Sequence, residues 1–183
     1  MSSIQKRNTK TTAGNYQQKK DKSMLFLTLA VLGLFVGLFL IIGFYSITII
    51  SFYTITKFLV GFAIAGFLIP LNYYQKWFNF IKYEMIIFNV IGVAPLFTGI
   101  LLLLNFIIVL NTSTETYKIE KAYFDSGRFV GIVLENNAYA DESRIIEFRE
   151  KTIIEIRRYQ YLEITLNKGL FGFDVVKSRE LKN

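Results

Sequence analysis

The chain has no Cys and no His. Thiol nucleophiles, disulfides, the usual zinc sites, His-ligated haem and Ser-His-Asp catalysis are therefore all excluded. The chemistry that remains rests on carboxylates. Glu147, Glu150, Glu155 and Glu163 are the candidates for paired-acid catalysis, which needs two carboxyl groups held together with unequal proton affinities. They are interleaved with Arg149, Lys151, Arg157 and Arg158, and cross-strand ion pairs on a solvated sheet face account for that pattern. Gly169-Leu-Phe-Gly172-Phe lacks the spacing and the following helix of a phosphate loop. No catalytic, cofactor or metal site is assigned, and the chain is expected not to be an enzyme.

The elements that carry these residues divide at Leu110. From Met24 to Leu110 the sequence is apolar, interrupted by two short polar patches. A bilayer core needs roughly 20 apolar residues in a helix. Met24–Thr56 is too long for one span, and its polar residues cluster from Ser46 onward. The pattern predicts three transmembrane helices, at 24–45, 57–74 and 85–110, joined by a short connection over 46–56 and an aromatic loop. Pro70 falls near the end of the second, where a missing donor matters least. Gly92 and Pro95 suggest a kink in the third.

Charge fixes the expected orientation. Residues 1–23 carry six cations against one anion, 24–110 three against one, and 111–183 twelve against twelve. The net +7 is thus a tail-and-membrane signal rather than a nucleic-acid one. The basic tail and the loop holding Lys76 and Lys82 fall on one side of a three-span arrangement, which the positive-inside rule makes cytoplasmic. The tail itself has too little apolar surface to fold alone, and the apolar run after it is too long for a cleavable signal. The expected location is a bacterial-type cytoplasmic (inner) membrane, with the C-terminal domain on the extracytoplasmic side.

The spans contain no charge at mid-depth, so ion and proton pathways have no residue to use. Gly33 with Gly37, and Gly61 with Ala65, are small-residue pairs that permit close helix approach. Asn89 and Asn105 lie 16 residues apart on the third span, and each is expected to hydrogen-bond a neighbouring helix. Tyr73, Tyr74, Lys76, Trp77, Lys82 and Tyr83 have the types that favour the headgroup region, with rings half-buried and lysines reaching outward.

From Asn111 onward the period changes to two. Tyr117, Ile119 and Tyr123 alternate with polar residues, and Phe129–Leu134 reads as a more buried strand. Leu162, Ile164 and Leu166 alternate with Glu163 and Thr165, and Asn167-Lys-Gly169 is the expected hairpin turn before Phe171, Phe173 and Val175. Residues 141–158 carry a helical Glu147/Lys151 spacing, but β-branched Ile145, Ile146, Ile153, Ile154 and Ile156 favour strand. Five or six antiparallel strands in a small sandwich or open barrel are expected. About 73 residues is near the lower limit for an independent core.

Missing catalytic residues, missing intramembrane charges and an undersized domain together suggest a non-catalytic accessory or scaffolding subunit of a larger membrane complex. The alternative is a stand-alone, membrane-anchored sensor or lipid- or ligand-binding module. The partners expected are the bilayer, a membrane complex or further copies of the chain.

Overall fold

A computed structural model describes residues 25–77, 82–125, 129–135, 147–148 and 151–183. The basic tail, residues 126–128 with the turn expected there, and most of 136–150 lie outside these residues. The described chain forms two compact units. One takes the residues up to Phe39 with Ile55–Gly99, the other Leu40–Thr54 with Ile100–Asn183.

Among the described residues two helices are long and apolar enough to cross a bilayer, and a third apolar helix is shorter. The first, α1, is Leu25–Tyr45, and the second is a continuous helix over Tyr83–Ile107. At about 1.5 Å per residue they measure roughly 31 and 37 Å. Between them α2, Phe52–Phe67, has 16 residues, and a break at 68–70 separates it from α3, Leu71–Trp77. The expected single span over 57–74 is thus two helices. Pro70 has no N–H to give the carbonyl of Gly66, so the helix stops there. The second long helix is composite: α4 (Lys82–Ile87), a π-helical stretch (Phe88–Val93) and α5 (Ala94–Ile107). Pro95 cannot donate to the carbonyl of Ile91 and would collide with it. The wider turn before it, in which the Ala94 N–H reaches back to Asn89 O, relieves that conflict. The kink suggested by Gly92 and Pro95 takes this form.

In the first unit α1 buries Phe26, Ala30, Gly33 and Gly37, one stripe at helical spacing, and exposes Leu27, Leu32, Phe35 and Phe39. Phe26, Ala30 and Tyr74 form a small core joined by Leu71, Met85 and Phe88. The Phe26 and Phe88 rings pack at 5.8 Å between centroids.

The second unit is a five-stranded antiparallel sheet of order β3-β2-β1-β4-β5, curled into a half-barrel. Its strands are β1 (Val109–Asp125), β2 (Phe129–Leu134), β3 (Glu147–Phe148), β4 (Tyr161–Gly169) and β5 (Asp174–Lys182). The long β1 pairs with β4 up to Lys118 and with β2 from Ile119, with an irregularity between Ile119 and Lys121. Alternation delivers Val130, Ile132 and Leu134 from β2, and Leu162, Ile164 and Leu166 from β4, into one core with Ile156.

Two expectations change here. Ile153, Ile154 and Ile156 lie in a short helix, α6 (Ile153–Ile156), rather than a strand. Thr152 and Glu155 form a capping box, and its reciprocal hydrogen bonds override β propensity. The hairpin turn lies beyond Gly169, where Gly172 takes the left-handed conformation at φ 81°. The remaining residues of the ambiguous stretch, 141–146 and 149–150, lie outside the described set.

The connection after α1 is part of the sheet. Ile49 N–H donates to Asp174 O at 2.8 Å and Val176 N–H to Ile47 O at 2.8 Å, with Thr48 bridging Val175. This short segment therefore extends the edge of β5, and Ile49 packs on the sheet core. Arg179 of β5 reaches across the open side of the half-barrel to β3, donating to Glu147 O at 3.2 Å with its guanidinium 5.5 Å from the Phe148 ring centroid. Partial burial there lowers its pKa from the ordinary arginine value.

Candidate functional site

The predicted packing residues resolve into two polar constellations and one close helix crossing. In the crossing, a Cβ on Gly33 would lie 2.8 Å from Gly92 O, and one on Gly37 would overlap the backbone of Pro95 and Leu96. Glycine is required at both because backbone meets backbone. Gly61 differs: a Cβ there would meet nothing within 4 Å, and both Gly61 and Ala65 are exposed. The close contact on α2 belongs instead to Gly66, where an added Cβ would sit 2.5 Å from the Asn89 amide.

The first constellation follows from Pro70. Gly66 O, deprived of its helical donor, receives the Tyr74 hydroxyl at 2.9 Å, and the same hydroxyl lies 3.0 Å from the fully buried Asn89 side chain. A phenol has one proton, so it cannot donate to both oxygens. The consistent assignment has Tyr74 donating to Gly66 O and accepting from the Asn89 amide N–H, with the amide turned accordingly. That arrangement also gives a partner to the Asn89 nitrogen, which otherwise has none. Tyr74, expected at the membrane interface, is thus buried, with its ring edge-on to Phe88.

The second constellation is centred on Asn105, also fully buried. Its amide donates to Phe173 O at 3.0 Å, and its oxygen accepts from Phe171 N–H at 3.0 Å. Its partner is hairpin backbone rather than a helix. Gly169 faces it so closely that a Cβ would overlap Asn105. The sequence presents Gly169 as a turn residue, but its role is close approach.

Of the other interface residues, Tyr73 and Tyr83 are exposed, and Lys76 Nζ lies 5.0 Å from the Tyr73 ring centroid. The side chains of Trp77 and Lys82 lie outside the described set; Trp77 closes α3 and Lys82 opens α4.

Of the carboxylate candidates, Glu163 and Glu155 are engaged in structural bonds. Glu163 accepts from Lys182 Nζ at 2.6 Å, a bond that raises the lysine pKa above its usual value. Glu155 caps α6, and hydrogen bonds from the Thr152 backbone and side chain hold its pKa below the ordinary 4.5. Glu150 lies outside the described residues. Among the described residues no cluster of three acidic side chains could hold a metal ion.

Sequence reasoning did not single out Gly66, Thr152, Arg179 or the strand-like use of Ile47–Ile49. Only Thr152 carried a local signal, the T-x-x-E capping box. Comparison with protein families, with characterised proteins and with solved structures finds no match.

Proposed function

We propose that the chain crosses a membrane three times, with the N-terminus cytoplasmic and the sheet on the opposite side, and serves as a non-catalytic accessory or scaffolding subunit of a larger membrane assembly. One observation supports the crossing number above others. The segment after α1 hydrogen-bonds β5, and α5 ends two residues before β1 of the same sheet. If α1 and the composite helix both cross, both finish on the sheet's side, so the chain must recross between them. Only α2 and α3 are available for that return. At about 24 Å, α2 is short for a bilayer core of roughly 30 Å, a mismatch that local thinning accommodates. The basic tail and Lys76 then share the opposite side, in line with the positive-inside rule.

The scaffold role draws support from three features. Glu155 and Glu163 are engaged in structural bonds. The sheet core is filled by its own side chains, which favours a scaffold over a ligand-binding module. The Gly61/Ala65 face of α2 is open to another helix.

Two experiments test the two parts. The absence of Cys makes single-cysteine labelling clean: Ser178→Cys should react with an impermeant maleimide from the extracytoplasmic side, and Lys10→Cys only after permeabilisation. The reverse pattern overturns the orientation. Gentle extraction at native abundance, followed by sizing and mass spectrometry, should recover a larger membrane protein at fixed stoichiometry. A lone chain or a homo-oligomer overturns the subunit role.

A further inference from the structure

The β4–β5 hairpin carries its apolar tip at an unusual place. Asn105, which bonds the backbone of Phe171 and Phe173, lies two residues before the end of the apolar helix at Ile107, about 3 Å along its axis. The apolar run continues past the helix as Ile108-Val109-Leu110 before the first polar residue, Asn111. In the β1–β4 register Val109 pairs with Gly169, Asn111 with Lys168 and Thr112 with Asn167. Polar rungs thus begin at Asn111, where the Thr112 hydroxyl and the Asn167 amide oxygen meet at 2.8 Å. On the helix side of those rungs stand Leu110, 62% exposed, and Leu170 and Phe171, 40% and 44% exposed.

Three N–H groups of this hairpin tip have protein acceptors, one of them a side chain of the apolar helix. Gly169 N–H donates to Phe173 O, Gly172 N–H to Gly169 O and Phe171 N–H to Asn105 Oδ1. Internal satisfaction of backbone donors is what a segment outside water requires, because hydrocarbon supplies no acceptor. The apolar side chains facing outward point the same way.

We infer that the hairpin tip, Leu170 and Phe171, with Val109 and Leu110, is embedded in the lipid leaflet on the sheet's side, and that Asn111, Thr112, Asn167 and Lys168 mark the headgroup level. The sheet is then seated in the bilayer rather than held above it. Lys168, exposed at the boundary, is placed to reach lipid phosphates. The inference rests on the membrane reading but not on the subunit role or on which side is cytoplasmic.

The test uses the full chain in phosphatidylcholine vesicles, with Trp77→Phe removing the sole native indole and Phe171→Trp placing a reporter at the tip. Alkaline carbonate washing first reports the membrane reading by itself: a chain released by it fails that reading. In a retained chain, lipids brominated near the glycerol end of the acyl chain should remove most of the emission, while aqueous iodide should leave it unchanged. Quenching by iodide overturns the inference, and so does quenching by neither agent, which would mean cover by protein. Leu170→Trp serves if the first variant does not fold. Ser178→Trp, on β5 away from the tip, should show the opposite pattern.

Discussion

Asn89 and Asn105 stand on one apolar helix, both fully buried, and the two units satisfy them by different means. Asn89 answers to a side chain, the Tyr74 hydroxyl, which itself bonds the Gly66 carbonyl that Pro70 deprives of its helical donor. Asn105 answers to backbone, giving and receiving one bond each with the β4–β5 hairpin. In the helical unit polar atoms mend local breaks, and close packing comes from glycine. In the sheet unit an amide side chain acts as one more rung of main-chain pairing. Removing a side-chain partner leaves one group to re-pair. Removing the partner of fixed backbone leaves the Phe171 N–H unable to turn elsewhere, while the Phe173 carbonyl keeps its bond from Gly169.

The largest effect should come from Asn105→Leu. It takes the acceptor from the Phe171 N–H and one of two donors from the Phe173 carbonyl, which keeps the Gly169 N–H, at a cost of about 3 kcal/mol for the stranded donor and the lost bond together. Denaturant unfolding in detergent should show that loss, and hydrogen exchange should place it at the hairpin. Gly37→Ala comes next, at about 2 kcal/mol, because its methyl overlaps helix backbone that cannot rotate away. Gly61→Ala should change the same midpoint by less than about 0.5 kcal/mol, since the position is open. Equal effects from the two would break the distinction between a glycine packed against helix backbone and one on an open face. Tyr74→Phe should cost about 0.6 kcal/mol, the average for a polar contact between membrane helices. A loss as large as that of Asn105→Leu would erase the distinction between the units.

The smallest effect is electrostatic. Glu155 has a folded pKa below its ordinary 4.5, so its capping contribution is present above that value and fades as pH falls through the lowered one. Exchange of the Ile156 amide, which donates to Thr152 O, should quicken over that acidic window. In Glu155→Gln, which keeps the box geometry, the pH dependence should vanish.

Much of the sheet was legible because period-two burial is a local signal. The inward set Leu162, Ile164 and Leu166 could be read directly, as could Val130 and its neighbours. That the helix is irregular before Pro95 was legible for a similar reason, since proline acts on its own turn. Gly169 misled because glycine has two uses. Only the approach of Asn105, 64 positions earlier in the chain, tells which applies. Ile47–Ile49 could not be read as an edge strand because three residues carry no period, and their pairing partner is supplied by β5. Tyr74 looked interfacial by composition; its burial goes with its bond to the Gly66 carbonyl, which Pro70 leaves with only a long bond from Ile69 N–H.

The pairing of Ile49 with Asp174 also sets an order of manufacture. The two residues are 125 positions apart, so at roughly 5–20 residues per second a ribosome finishes β5 on the order of ten seconds after the connector has emerged. Through that interval α1 and the connector are already made, while the strand they will join does not yet exist. The sheet closes when β5 takes up a connector made well before it, so synthesis of β5 reports back to the loop that follows α1. A nascent chain cut short before Asp174 leaves Ile49 without that pairing, a marker by which a copy lacking β5 differs from one that has it.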